Sequence, residues 1–328
     1  MKEHRATLVG RTGLLRLRNR PRSAETRIPK IAKDLSPLRY PGGKAVLTEY
    51  LARIIIANGL KGCSLYEPYC GGAGASIALL DAGVVSRVLL NDKNAGIYNF
   101  WRAVFYDTDW LLKRIDGVVV DIKEWHRQRF AYFDLIERTS LSPEEGRRLA
   151  FATFFLNRCN RSGILHAGPI GGRDQSGPYK IDCRFTKEAL KKRIIRISRL
   201  HGRVEVKNLC GEAVLHRSDR VRGRDNRIVY LDPPYYVEGV NIYSRRFAFT
   251  KEQHASLAEK LKRSRSTWVL SYDDVDAVHE LYSGASSGIV EFSYMINRTK
   301  VGKELILASS QLKLPILEVS SGQLSLEV

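Results

Sequence analysis

Asp232-Pro233-Pro234-Tyr235 follows the apolar run Ile228-Val229-Tyr230-Leu231. A carboxylate at the carboxyl end of a sheet strand sits where open α/β sheets bind ligands. Two consecutive prolines stiffen the chain and lack backbone donors, leaving carbonyls to accept. An aromatic ring follows at once. Two acceptors beside a flat ring suit an exocyclic amino group on a base taken out of its stack. The nitrogen of such a group is a poor nucleophile, because its lone pair is conjugated with the ring. Acceptors that hold both N–H protons draw it toward tetrahedral geometry and make the lone pair available. The plainer alternative is a strand that ends in an ordinary turn. The adjoining tyrosine and a glycine-rich turn upstream favour the chemical reading.

That upstream turn is Glu67-Pro68-Tyr69-Cys70-Gly71-Gly72-Ala73-Gly74. It lacks the Gly-x-Gly-x-x-Gly spacing of a dinucleotide fingerprint and the Lys-Ser/Thr ending of a phosphate loop. Its glycines let backbone approach a ligand closely. Asn91-Asp92 closes the next apolar run, Val88-Leu89-Leu90, and Asp92 lies 18 residues after Gly74. An acid there can accept from both ribose hydroxyls of a nucleoside; the alternative is a surface turn or a cap for the helix that follows.

The elements that must hold these residues read as alternating strand and helix. A helix is expected over 44–57, a strand over 64–66, a helix over 75–82, a strand over 87–90 and a helix over 95–106. Helices are expected over 124–138, 143–156 and 187–200. Then come a strand over 227–231, a helix over 251–263 with Thr250 as N-cap, a strand over 267–270, a helix over 275–282, and strands over 290–295 and 305–308. Strand, glycine turn, helix, strand is the pattern of a doubly wound parallel sheet. The expected division is a basic tail at 1–35, two α/β parts at 36–110 and 227–310, a helical basic insertion at 111–226, and an extension at 311–328.

Charge points to the partner. The 328 residues carry 54 Lys+Arg against 35 Asp+Glu, a formal +19. Residues 1–35 hold 10 basic and 3 acidic side chains, and 111–226 hold 25 and 14; 36–110 and 227–328 are almost neutral. Positive charge gathered in a tail and a middle segment suits a polyanion, nucleic acid before membrane. The plainer reading is a solvated basic face. No apolar run approaches the roughly 20 residues of a membrane helix. The five cysteines, Cys63, Cys70, Cys159, Cys183 and Cys210, form no C-x-x-C pair, and the seven histidines have no metal-ligand spacing. A cytoplasmic, metal-free monomer or weak dimer is expected.

The chain resembles the Dam-type adenine-N6 DNA methyltransferases. The resemblance rests on Leu38-Arg39-Tyr40-Pro41-Gly42-Gly43-Lys44, Tyr66 to Gly74, Leu90-Asn91-Asp92, Asn157-Arg158-Cys159-Asn160-Arg161-Ser162-Gly163, Asp232 to Tyr235, and Asn297-Arg298 through Lys303-Glu304-Leu305-Ile306, in that order over residues 36–310. It implies a Rossmann-like methyltransferase fold and S-adenosyl-L-methionine (AdoMet) as methyl donor. It implies that Tyr40 and Lys44 contact the donor, Asp92 holds its ribose, and Asp232 faces both donor and amine. The cofactor set extends to Glu67, Pro68, Gly71, Gly72 and Gly74. The catalytic set is Asp232, Pro233, Pro234 and Tyr235. Double-stranded DNA is the implied substrate. The same motif class serves cytosine N4, and a non-catalytic DNA-binding module on this frame is a further alternative.

Target recognition is expected in the insertion, with Arg158, Asn160, Arg161 and Ser162 facing DNA. Arg pairs bidentately with guanine and Asn with adenine in the major groove. The alternative is that the arginines clamp phosphates or cap a helix. Where the best-known Dam proteins carry an aromatic-Asn-Gly pattern followed by Arg, this chain has Arg161-Ser162-Gly163-Ile164-Leu165-His166; their GATC specificity is not carried over.

Overall fold

The computed structural model describes residues 28–39, 45–220, 226–237, 247–296 and 298–315. Its elements in chain order begin with α1 (Ala45–Ala57), β1 (Ser64–Glu67), α2 (Gly74–Asp81), β2 (Arg87–Asn91) and α3 (Ala95–Tyr106). Next come α4 (Thr108–Gly117), α5 (Ile122–Ile136), α6 (Pro143–Cys159), α7 (Lys187–Ser198), β3 (Val204–Lys207) and α8 (Gly211–Arg220). The chain continues with β4 (Arg227–Leu231), α9 (Lys251–Arg263), β5 (Trp268–Asp273), α10 (Asp276–Leu281), β6 (Ser286–Ile296) and β7 (Arg298–Ala308).

The seven strands form one sheet in the order β3-β2-β1-β4-β5-β7-β6. The first five run parallel, and β7 enters antiparallel between β5 and β6. β2 and β4 are buried at four of five positions. Helices cover both faces of a parallel sheet, so such strands are apolar throughout rather than alternating. The chain moves outward from β1 through β2 to β3, then returns to the other side of β1 at β4. The strand order reverses between β1 and β4, which opens a crevice at their carboxyl ends.

Local sequence explains the boundaries. Asn94 caps α3 by accepting from the amides of Gly96 and Ile97. Ser142 and Glu145 form a capping box on α6, and Thr250 and Gln253 form one on α9, as the expected Thr250 cap requires. Phe151 to Leu156 of α6 are all buried. A helix apolar around its whole circumference has to be enclosed; Phe154 stacks on Phe100 of α3 at 5.5 Å, and Phe154 and Phe155 both meet Phe185.

The α/β expectation holds, with differences. β3 and α8 lie inside 111–226, yet β3 pairs with β2, Val88 opposite Val204, so that stretch contributes a strand to the sheet between its helices. α6 runs three residues beyond Leu156 because Asn157 and Cys159 are buried as well. β6 and β7 are longer than expected and form one long hairpin. The expected basic tail at 1–35 joins the core at its C-terminal end. Leu35 is buried, and Ile28, Ile31 and Ala32 pack against the core; residues 1–27 lie outside the described ones.

Candidate active site

The glycine turn leaves β1 and doubles back to start α2. Gly71 (φ 43°) and Ala73 (φ 48°) are left-handed, a conformation costly for the alanine. The strain is held from several sides. The Cys70 amide donates to the Asn91 carbonyl at 2.8 Å, the Trp101 indole donates to the Gly71 carbonyl at 2.9 Å, and Ser36 Oγ donates to the Gly72 carbonyl at 2.6 Å. A Cβ built on Gly74 meets nothing within 4 Å; Gly74 borders open cleft.

Asp92 ends the neighbouring strand. Its Oδ2 accepts from the Gly71 amide at 2.9 Å and its Oδ1 from the Asn94 amide at 2.8 Å. Burial pushes its carboxyl up to about 6, against the pull of those two amides. Asn91 beside it is buried. Its side chain donates to the Pro68 and Leu209 carbonyls and accepts from the Leu209 amide, fastening the turn after β1 to the chain after β3.

Asp232 leaves β4 across the crevice. Its Oδ1 accepts from Ser271 Oγ at 3.1 Å, and Ser271 Oγ lies 3.2 Å from the Tyr230 hydroxyl. Since Ser271 spends its proton on the carboxylate, Tyr230 is the donor in the second bond. Pro233 and Pro234 are buried. The Tyr235 hydroxyl donates to Glu304 Oε1 at 2.8 Å, and Glu304 is itself buried in β7. The amides of Tyr236 and Val237 donate to the two oxygens of Asp273 at 2.9 Å each. His254 of α9 supports this loop from behind, its ring 4.8 Å from that of Tyr236 and its Nδ1 bonded to the Tyr272 hydroxyl.

These groups line one cleft of about 890 Å³. Glu67, Gly71, Gly72, Gly74 and Asp92 come to it from one side of the crevice, and Asp232, Pro233, Pro234 and Tyr235 from the other. Pro68 is absent from its lining and is engaged through its carbonyl by Asn91. Tyr40 and Lys44 lie outside the described residues. Ser271 and Asp273 are positioning residues that sequence reasoning missed; Asn91 and Glu304 stand in the quoted motifs, but no positioning role was read for them. Ser271 and Asp273 are the polar residues of an otherwise apolar β5, Asn91 closes the apolar β2, and Glu304 stands among other polar residues of β7.

The four residues expected to face DNA divide. Asn160 is fully buried: its Oδ1 accepts from the Trp125 indole at 2.7 Å, and its Nδ2 donates to the Ile164 and Leu165 carbonyls. That amide is spent inside the protein, so the expected contact with a base is corrected to a structural role. Arg158 is half-buried, and its Nε and Nη2 donate to the Arg184 carbonyl. Arg161 and Ser162 are exposed, Ser162 in a left-handed conformation (φ 55°). Gly163 follows at φ 75°, and a Cβ there would stand 2.6 Å from the Arg39 carbonyl, so glycine is required.

Among the described residues no group of three or more His, Cys, Asp or Glu could hold a metal ion, and no helix is long and apolar enough to cross a membrane. Among curated proteins no sequence matches the chain. A family model, the D12 class N6 adenine-specific DNA methyltransferases, matches residues 40–297, which include the glycine turn, Asp92 and Asp232-Pro233-Pro234-Tyr235. The chain belongs to that family, and its activity is the methylation of adenine N6 in DNA.

Proposed function

We propose that the chain methylates adenine within a defined sequence of duplex DNA, with the donor bound along the glycine turn and the target base flipped into the cleft. One observation carries this reading: Asp92 and Asp232, far apart in sequence, line the same cleft on either side of the sheet's reversal point. About 890 Å³ is at the upper end of small-molecule pockets and accommodates a nucleoside donor together with a base.

The residues present fit AdoMet. Asp92 offers a carboxylate for two ribose hydroxyls, and Gly74 leaves room for close approach. When bound, AdoMet supplies a sulfonium methyl group for direct transfer. The chain does the rest. Asp232 and the Pro233 carbonyl hold the two protons of the target amine and orient its lone pair. Tyr235, fixed by Glu304, offers its ring face to the base. Asp232 accepts the proton that the nitrogen must lose once methylated. The exposed Arg161 and Ser162 are the residues proposed to meet base edges or phosphates. A cytoplasmic setting accords with this reading.

The test is calorimetric titration with AdoMet, followed by nucleoside analysis of treated duplex. Saturable binding with N6-methyladenine in a fixed sequence context is expected. Methylation without a fixed context, or on single strands only, would overturn the reading.

A further inference from the structure

Four arginines meet where the chain before α1, the end of α6 and the start of α7 come together. Arg39, Arg158 and Arg193 line the cleft, and Arg184 adjoins them. Their donors reach backbone carbonyls. Arg39 Nη1 donates to the carbonyls of Asn160 at 3.0 Å and Arg158 at 3.4 Å. Arg158 donates to the Arg184 carbonyl, and Arg193 Nη1 reaches the Ser36 carbonyl at 3.4 Å.

Among the described residues no carboxylate pairs with any of the four, although Asp34 and Glu49 also line the cleft. Other arginines behave differently: Arg196 pairs with Asp81 at 2.8 Å, Arg147 with Asp107 at 2.6 Å, and Arg114 with Glu124 at 2.9 Å. Clustered like charges without a counter-charge raise the energy of the fold by mutual repulsion. Burial, and then Arg39 and Arg193, draw the Arg158 guanidinium down to about 10. The cluster is also held in place. Asn157 accepts from the Arg39 amide at 2.7 Å and donates to its carbonyl at 2.8 Å. Each guanidinium has five N–H donors, more than these bonds use.

We propose that Arg39, Arg158, Arg184 and Arg193 form a clamp for a backbone phosphate of the DNA strand. The clamp rests on the DNA-modifying reading above and adds a contact to it. Guanidinium forks match the oxygens of a phosphodiester. None of the four arginines comes from the strand ends that carry Asp92 and Asp232. The cluster instead surrounds the end of α6, from which the chain enters the exposed loop at Arg161. A phosphate held there fixes the position of the strand without reading its sequence.

The experiment uses the full chain with Arg193→Gln, Arg193→Lys and the exposed Arg184→Gln. Affinity for a mixed-sequence duplex is measured over a range of salt concentrations, with AdoMet affinity measured separately. Arg193→Gln should weaken DNA binding and lower the slope of log affinity against log salt by about one. Arg193→Lys should keep the slope, and AdoMet affinity should not change. Arg184→Gln should act in the same direction and stands as the test if Arg193→Gln does not fold. Lost AdoMet affinity with an intact salt slope would overturn the clamp and assign the cluster to the donor's carboxylate. An unchanged slope in both glutamine variants would also overturn it. These readouts do not depend on turnover, so a failure of the methylation reading remains distinguishable.

Discussion

Ser271 donates to Asp232 across two adjacent parallel strands, Oγ to Oδ1 at 3.1 Å, and so fixes how the carboxylate faces the cleft. Tyr230, in the strand that Asp232 follows, supports Ser271 in turn. Asp232→Ala removes one of the two acceptors proposed for the target amine. Turnover should fall more than tenfold, since a hydrogen bond to a charged group is worth at least about 1.5 kcal/mol. Folding and DNA binding should persist. Ser271→Ala leaves the carboxylate but frees its orientation, so kcat should fall roughly tenfold with AdoMet affinity unchanged. Equal losses of AdoMet affinity and kcat would show that Ser271 acts on the donor site instead.

Asp92 gives a pH dependence with a definite sign. Its carboxyl titrates near 6 in the fold, above the ordinary value of 3.8. The neutral form is therefore favoured by folding: the stabilisation from this group is full below about 3.8 and lost as pH rises through about 6. Ligand binding runs the other way, because the ionised form is the better acceptor for ribose hydroxyls. AdoMet affinity should rise as pH passes 6 and level off above it. Asp92→Ala should weaken AdoMet binding and flatten the profile while nonspecific DNA affinity stays the same. Calorimetry across this range checks both, and a profile unchanged by the substitution would assign the titration to another group.

Much of this site is legible in the sequence, for physical reasons. The strands of a parallel sheet are apolar runs, so the acids that follow them, Asp92 and Asp232, stand out at strand ends. The capping signal at Thr250 fixes the start of α9 at Lys251. What escapes is whatever depends on strand order. β3 is four residues long and follows a basic helical stretch, and only its pairing with β2 makes it part of the sheet. Ser271 and Glu304 become meaningful only because β5 lies beside β4 and β7 beside β5. Asn160 misleads because an asparagine after a basic helix turn reads as a polar loop residue. Its burial follows from the Trp125 indole, 35 residues away in sequence, which needs an acceptor.

Asn160→Ala should therefore act on stability and leave sequence choice intact. The substitution leaves the buried Trp125 N–H and the Leu165 carbonyl without this partner, while the Ile164 carbonyl keeps the Ala167 amide. A buried unsatisfied group costs about 1–3 kcal/mol. Urea denaturation should show a loss of that order, with the methylated context unchanged. A shifted context with unchanged stability would return Asn160 to the DNA interface.

Glu304→Gln tests the support of Tyr235. Glu304 accepts the tyrosine hydroxyl from a buried position on β7, and the amide retains an oxygen able to accept the same bond. Glu304→Ala removes it and lets the ring turn. Turnover should fall by several-fold in the alanine variant and recover most of its value in the glutamine variant, with AdoMet affinity steady in both. Equal defects in the two variants would indicate that the charge of Glu304, rather than the orientation of Tyr235, matters.

Arg161, exposed just past the end of α6, is the residue proposed to read a base. Its backbone amide is spent inside the protein, donating to the Gly168 carbonyl at 3.0 Å, and that bond fixes the start of the loop. The residue is exposed, and its guanidinium lies beside Gly168. Arg158, a few residues earlier, has its donors turned to the Arg184 carbonyl and is not placed to do the same. The two arginines should therefore separate. Arg161→Ala should relax one position of the recognition sequence and cost about 1–3 kcal/mol for DNA carrying the preferred base there. Arg158→Ala should weaken all sequences alike, as loss of a phosphate contact does. Sequencing that detects methylated adenines, applied to DNA from cells expressing each variant, gives the context directly, and salt titration gives the affinity. Uniform weakening in Arg161→Ala with the context intact would move base reading elsewhere in the loop between Ile164 and Tyr179.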